Sequence, residues 1–219
     1  MTPDLVSAAA MKRWALRLRR SIDLFSAVVM AGATVATAYS AYQSSLWSSE
    51  KNRHTAQAAT AVVRVGKLSN MALQRTSVHV NLFVHWVSAV RRGDGGMAAY
   101  LFDRFPEPLK AAASAWRATR PLENPAAPAS PFEMPEYVLQ ERTDADRWEE
   151  SAQRETAAAH HADSQSSRYL LFTIIYASVL FFGGISGKFR KPAIDLLVLA
   201  LGGLTLLGCV AIMLSSPRL

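Results

Sequence analysis

Three apolar stretches constrain this chain more than any other feature: residues 22–42, 169–187 and 193–214. Each has about the length that crosses a ~30 Å hydrocarbon layer at ~1.5 Å per helical residue. The second, YLLFTIIYASVLFFGGISG, holds no charge, and the third holds only Asp195 near its start. A surface helix needs a polar face, and neither stretch has one. In lipid every backbone polar group must pair within its own segment, so such stretches become helices. The expected spans are residues 21–43, 169–187 and 193–214 of an all-α membrane protein. The first is less oily, and its Ala36-Thr37-Ala38 triplet also fits a secretory cleavage site. The helical pattern runs on past Tyr42, which favours an uncleaved anchor.

Lys and Arg resist translocation and mark the cytosolic side of short loops. Lys12, Arg13, Arg17, Arg19 and Arg20 precede the first span, and Lys188, Arg190 and Lys191 lie between the second and third. An odd number of spans then puts residues 1–20 and the loop 188–192 in the cytosol. Residues 44–168 and the tail 215–219 are expected outside it.

The formal charge of +7 divides unevenly. Residues 44–168 carry 15 basic and 14 acidic side chains, a net of +1, which leaves +6 for the termini, spans and inner loop. The excess is topological, with anionic inner-leaflet lipid as its partner, so nucleic-acid binding loses its support. The one cysteine, Cys209, lies in the third span, leaving the exported part without disulfides. With an Ala- and Arg-rich composition and no Asn-x-Ser/Thr acceptor, a bacterial inner (plasma) membrane is the expected location.

Residues 44–92 hold no proline and a single glycine, Gly66, so a long helix is expected to continue the first span. Ala59, Val63, Gly66, Asn70, Leu73, Ser77, Val80, Val84 and Val87 recur in steps of three and four, a coiled-coil stripe expected to face a partner helix. Residues 78–90 are apolar nearly all round and read as buried core. The Arg91-to-Gly96 cluster ends the helix. Short helices are expected over 97–105 and 107–119, with Phe102, Phe105, Leu109 and Trp116 turned towards that core. The proline-rich stretch 121–135 reads as an extended strap. Helix resumes over 136–168, where Val138, Ala145, Ala152 and Ala159 recur every seven residues beside Trp148 and Ala162. The exported part is thus expected to be a long antiparallel helical hairpin with short capping helices.

Enzyme signatures fail on inspection. Ser186 lies in Gly-Ile-Ser-Gly, but Lys188 stands where G-x-S-x-G requires its second glycine. No phosphate loop, His-Glu-x-x-His or Cys-x-x-Cys occurs. Glu50 and His54 share a helix face, and an antiparallel return sets His160 and His161 at a similar height, a candidate metal or pH-responsive cluster. Solvated polar faces near lipid headgroups are the plainer reading of the same residues. His79 and His85 are six apart and cannot share a face, so hydrogen-bonded or rim positions are expected. No catalytic residue and no cofactor is expected.

Small residues mark flat faces where spans can approach closely: Ala27, Ala31, Gly32 and Ala36 in the first, Gly183 and Gly187 in the second, and Gly202, Gly203 and Gly208 in the third. Tyr39, Tyr42, Trp47 and Tyr169 suit an outer aromatic belt. Asp23 and Asp195 lie near the cytosolic ends of spans, too shallow for ion translocation.

The segments FDRFPEPLKAAASAW, RPLENPAAPASPF and MPEY, within residues 102–137, resemble a group of uncharacterised bacterial three-span inner-membrane proteins. The resemblance extends from about residue 44 through the third span and implies the same topology, with no activity attached. The expected function is that of a non-enzymatic accessory or scaffold subunit, whose partners are the bilayer and other envelope proteins or a second copy. An extracytosolic sensor of a small ligand or of pH is the alternative, and an oligomeric channel or transporter subunit the third.

Overall fold

A computed structural model of the chain describes residues 3–186, 188 and 192–219, with side chains from residue 20 onward apart from that of residue 192. Lys12, Arg13, Arg17 and Arg19 of the basic leader, Gly187 at the end of the second expected span, and Arg190 and Lys191 of the expected inner loop lie outside the described side chains. Among the described residues the protein is all helical, without strands. Its elements are α1 (Pro3–Arg91), α2 (Gly95–Asp103), α3 (Leu109–Ala118), a 3-10 turn (Pro131–Glu133), α4 (Gln140–Ile185) and α5 (Pro192–Ser215). Three helices, within Arg20–Arg91, within Gln140–Ile185 and over Ala193–Ser215, are long and apolar enough to cross a membrane. The chain divides into two compact units, Met1–His54 with Ala157–Leu219, and Thr55–Thr156.

In the first unit, α1 buries Ile22, Ser26, Val29, Ala33, Ala36, Ser40, Gln43 and Trp47, spaced by three and four. From α4 come Ala162, Gln165, Tyr169, Phe172, Tyr176 and Val179 in the same rhythm. Lipid offers no hydrophobic drive between helices, so small residues and interhelical hydrogen bonds hold such a bundle. Ser26 Oγ donates to the Gly183 carbonyl at 3.0 Å, and Ser44 and Ser166 each donate to the other's carbonyl, also at 3.0 Å. These contacts make α1 and α4 antiparallel. Helix α5 lies along both, with Ser40 Oγ 3.3 Å from Met213 Sδ, Tyr169 OH donating to Pro217 O at 2.8 Å, and Gln43 exchanging two bonds of 3.3 Å with the backbone of Leu219.

Trp47 and Tyr169 depart from the expected aromatic belt. They are 8 % and 0 % exposed and pack among the helices, whereas Tyr42 is 61 % exposed. The Tyr169 hydroxyl reaches a carbonyl that α5 leaves free past its last turn, which removes its need for the interfacial water a belt tyrosine uses.

In the second unit the antiparallel partners are again α1 and α4. Arg64 lies over the Trp148 ring at 4.2 Å, Arg75 pairs with Glu141 at 2.9 Å, and His79 meets Tyr137 just before α4 begins. Ala58, Ala61 and Ala72 of α1 and Ala145 and Ala152 of α4 are buried, small enough to let the two backbones approach. Helix α1 stops at Arg91 because Gly93 takes φ +73°, a conformation cheap only for glycine, and the Asp94 amide donates back to the Ala89 carbonyl at 3.1 Å. Asp94 then caps α2, accepting from the Met97 amide at 2.9 Å.

Trp86 is the hub of this unit's core. Phe83, Phe102 and Phe105 surround it at ring distances of 5.7, 6.0 and 6.3 Å, with Leu109 and Ala113 of α3 completing the cluster. Helix α3 starts at Leu109 and not at 107, since Pro108 occupies its N-cap position. The strap 121–135 is a run of turns tied down by Trp116 Nε1, which donates to Pro128 O at 2.7 Å, and by burial of Pro131.

Candidate functional site

The α1 stripe expected to face a partner helix is turned outward instead. Ala59, Val63, Gly66, Asn70, Leu73, Ser77, Val80 and Val84 are all exposed, and only Val87 is half-buried. Two rows on α1 share the same three-four spacing, roughly a third of the circumference apart. Packing selects the row Ala58, Ala61, Val65, Leu68, Ala72, His79, because its alanines permit the close approach that the valines would block. The uncovered row is still strongly apolar, with Val63 71 % and Leu73 66 % exposed. Val62, Met71 and Val78 are exposed beside it. Along the same part of α4 the exposed residues are Asp146, Arg147, Glu149, Glu150, Gln153 and Arg154, the polar coat expected of a solvated helix.

The buried row ends in a polar set of which sequence reasoning named only His79, as a hydrogen-bonded or rim position, and missed its partners. His79 is 2 % exposed, and its Nδ1 is 2.9 Å from the Tyr137 hydroxyl. Burial, with the Arg75 guanidinium beside it, pushes the imidazole below its usual value, while Glu141 pulls the other way. Burial likewise raises the Tyr137 phenol. Glu141 gives Oε1 to Arg75, and its buried Oε2 has no hydrogen-bond partner among the described residues. The available signal was a histidine inside the apolar run 78–90, but its partner is 58 positions away and carries no motif. His85 is exposed.

The Glu50, His54, His160 and His161 cluster does not assemble. Glu50 does meet His54 at 3.3 Å, but Arg53 takes the same carboxylate, and that contact holds Glu50 below the usual carboxylate range. His161 sits edge-on to Trp47 with ring centres 5.9 Å apart, and His160 is exposed. Adjacent residues on a helix diverge by ~100°, which explains the split. Among the described residues no three His, Cys, Asp or Glu side chains converge on a common point.

The small residues of the spans fall into two groups. A Cβ on Gly183 would stand 2.7 Å from Met30 Cγ, on Gly32 3.5 Å from Leu206, and on Gly202 and Gly203 3.8 Å from Phe182 and Phe25. Ala36 is buried in the bundle. Ala27, Ala31 and Gly208 face outward, and a Cβ on Gly208 would meet nothing within 4 Å.

No protein-family model, curated protein or solved structure matches the chain.

Proposed function

We propose that the protein is a non-enzymatic scaffold or accessory subunit of a bacterial inner membrane, with its amino terminus in the cytosol and residues 44–168 outside. In this reading the exported helical hairpin works by pairing through the uncovered α1 row. The outward row Val63, Leu73, Val80 and Val84, on a helix whose other exposed neighbours are mostly polar, is the observation that carries the proposal. Read as heptads, Val63, Asn70, Ser77 and Val84 fall at one core position and Ala59, Gly66, Leu73, Val80 and Val87 at the other. Valine at both ends of the first position and a single asparagine, Asn70, within it match part of the pattern that favours parallel two-stranded association, while the second position carries one leucine, Leu73, among smaller residues. Two copies anchored in one membrane with the same orientation would meet in parallel, so a second copy is the first partner to test.

The test introduces Asn70→Cys in a Cys209→Ser background and oxidises the protein in lipid nanodiscs. A covalent dimer that the control Gln153→Cys, on the polar face of α4, does not form supports the proposal. A protein that stays monomeric by native mass after gentle extraction, forms no disulfide-linked dimer with Asn70→Cys and brings no other chain with it would overturn it.

A further inference from the structure

The Trp86 core is open on one side. A hollow of about 370 Å³ lies between the end of α1, the end of α3 and the start of the strap. That is at the lower end of the ~300–1,000 Å³ typical of small-molecule sites. Its floor and walls are apolar, from Trp86, Val87, Val90 and Trp116, and the 98 % exposed Leu122 stands at its lip. A second hollow of about 320 Å³ opens beside it, and Trp86, Val90 and Arg117 line both.

The charged groups around the first hollow are unbalanced. Arg91, Arg117 and Arg120 line it against a single acid, Glu123, which reaches Arg120 only at 3.7 Å. Arg91 and Arg117 make no ion pair among the described residues. Arg117 lies over the faces of Phe102 and Trp86, at 4.9 and 5.8 Å, so its guanidinium is held above the apolar floor with its donors unspent on carboxylate. Arg120 adds a second sign. Its φ is +51°, a left-handed conformation just past the end of α3 that glycine takes at no steric cost. An arginine in that place costs about 1–2 kcal/mol of backbone preference and puts a cation on the rim.

From this combination we infer that the hollow is a binding site for a small amphiphilic anion, an aromatic or aliphatic body of about ten carbons bearing one carboxylate or a similar oxyanion. The body lies against Trp86 and Trp116, and the anionic head faces the guanidinium groups of Arg117 and Arg120, whose planar forks match carboxylate geometry. The site shares only Val87 with the heptad row of α1, at that row's half-buried end, and its other lining residues lie outside the row.

The test is calorimetric titration of naphthalene-2-carboxylate into the full-length protein in nanodiscs, with empty nanodiscs subtracted. The neutral naphthalene-2-methanol serves as the matched ligand without charge. One saturable site with at least tenfold preference for the carboxylate is expected. Arg117→Met and Arg120→Gly should each weaken the carboxylate at least fivefold, and Arg64→Met, which alters the guanidinium on Trp148, should leave it unchanged. Arg120→Gly guards against a folding artefact, because glycine suits that backbone and the melting temperature should hold within a few degrees. Absence of saturable heat, equal affinity for the alcohol, or unaltered binding by Arg120→Gly with the fold intact would each overturn the inference.

Discussion

The Nδ1 of His79 and the hydroxyl of Tyr137 lie 2.9 Å apart in the second unit, joining the last part of α1 to the residue three positions before α4. Because His79 is almost wholly buried, removing its partner leaves a polar atom without water to replace the bond. Tyr137→Phe is therefore expected to cost about 1–3 kcal/mol locally, well above a neutral surface change. Hydrogen-exchange protection of the α1 amides around residues 76–86 reads this directly, since it reports local opening. Protection equal to that of the unaltered protein would mean that the bond is not formed.

The same histidine makes the unit acid-sensitive. Its imidazole is held below the ordinary 6.5, so folding favours the neutral ring. Above that value both folded and unfolded chains carry neutral His79, and its contribution is fully present. As pH falls through 6.5 the unfolded chain takes up a proton that the folded one refuses, and stability declines until the folded ring itself protonates. The slope attributable to one group is at most about 1.4 kcal/mol per pH unit. His79→Gln should flatten the decline of amide protection between pH 7 and 5 relative to the unaltered chain. Parallel pH profiles would show that other groups set it.

These two residues also show where sequence reading stops. The spans were legible because lipid imposes length and oiliness on contiguous residues, and the end of α1 because Gly93 supplies a backbone conformation that other residues resist. Which of two equally spaced rows on α1 would be buried was not legible. Both satisfy the three-four rhythm, and the choice rests on how closely Ala58, Ala61 and Ala72 let the opposing alanines of α4 approach, a property of the pair. The His79–Tyr137 contact and the arginine-rimmed hollow join positions distant in the chain with no shared motif. Glu50 and His54 did meet as their spacing implied, but Arg53, one position from His54, engages the carboxylate first.

Packing within the spans should depend sharply on which glycine is changed. Gly183 faces Met30 so closely that an added Cβ would lie 2.7 Å from Cγ, and its carbonyl accepts the Ser26 hydroxyl. Its neighbour Gly184 is exposed, with nothing within 4 Å of an added Cβ. Gly183→Val is expected to destabilise the bundle by about 1–3 kcal/mol through overpacking, while Gly184→Val stays near neutral. Thermal unfolding in one mild detergent, followed by tryptophan emission, separates the two. Equal losses would show that the sensitivity comes from helix propensity and not from the Met30 contact.

The uncovered row makes the opposite kind of prediction, in which stability and association part company. Leu73 is 66 % exposed and its neighbour Ala72 only 8 %. If the row serves a partner, Leu73→Gln should leave local stability within about 0.5 kcal/mol, the usual range for a surface change. It should at the same time reduce dimer formation about tenfold, equivalent to ~1.4 kcal/mol. Ala72→Leu should do the reverse by overpacking the buried seam, lowering hydrogen-exchange protection of α1 by about 1–3 kcal/mol. Its effect on association should be secondary to that loss. Measuring amide protection and the monomer fraction on the same nanodisc samples distinguishes the rows. A Leu73→Gln protein as destabilised as Ala72→Leu would mean that the outward row is packed within the chain, and the pairing proposal would lose its basis.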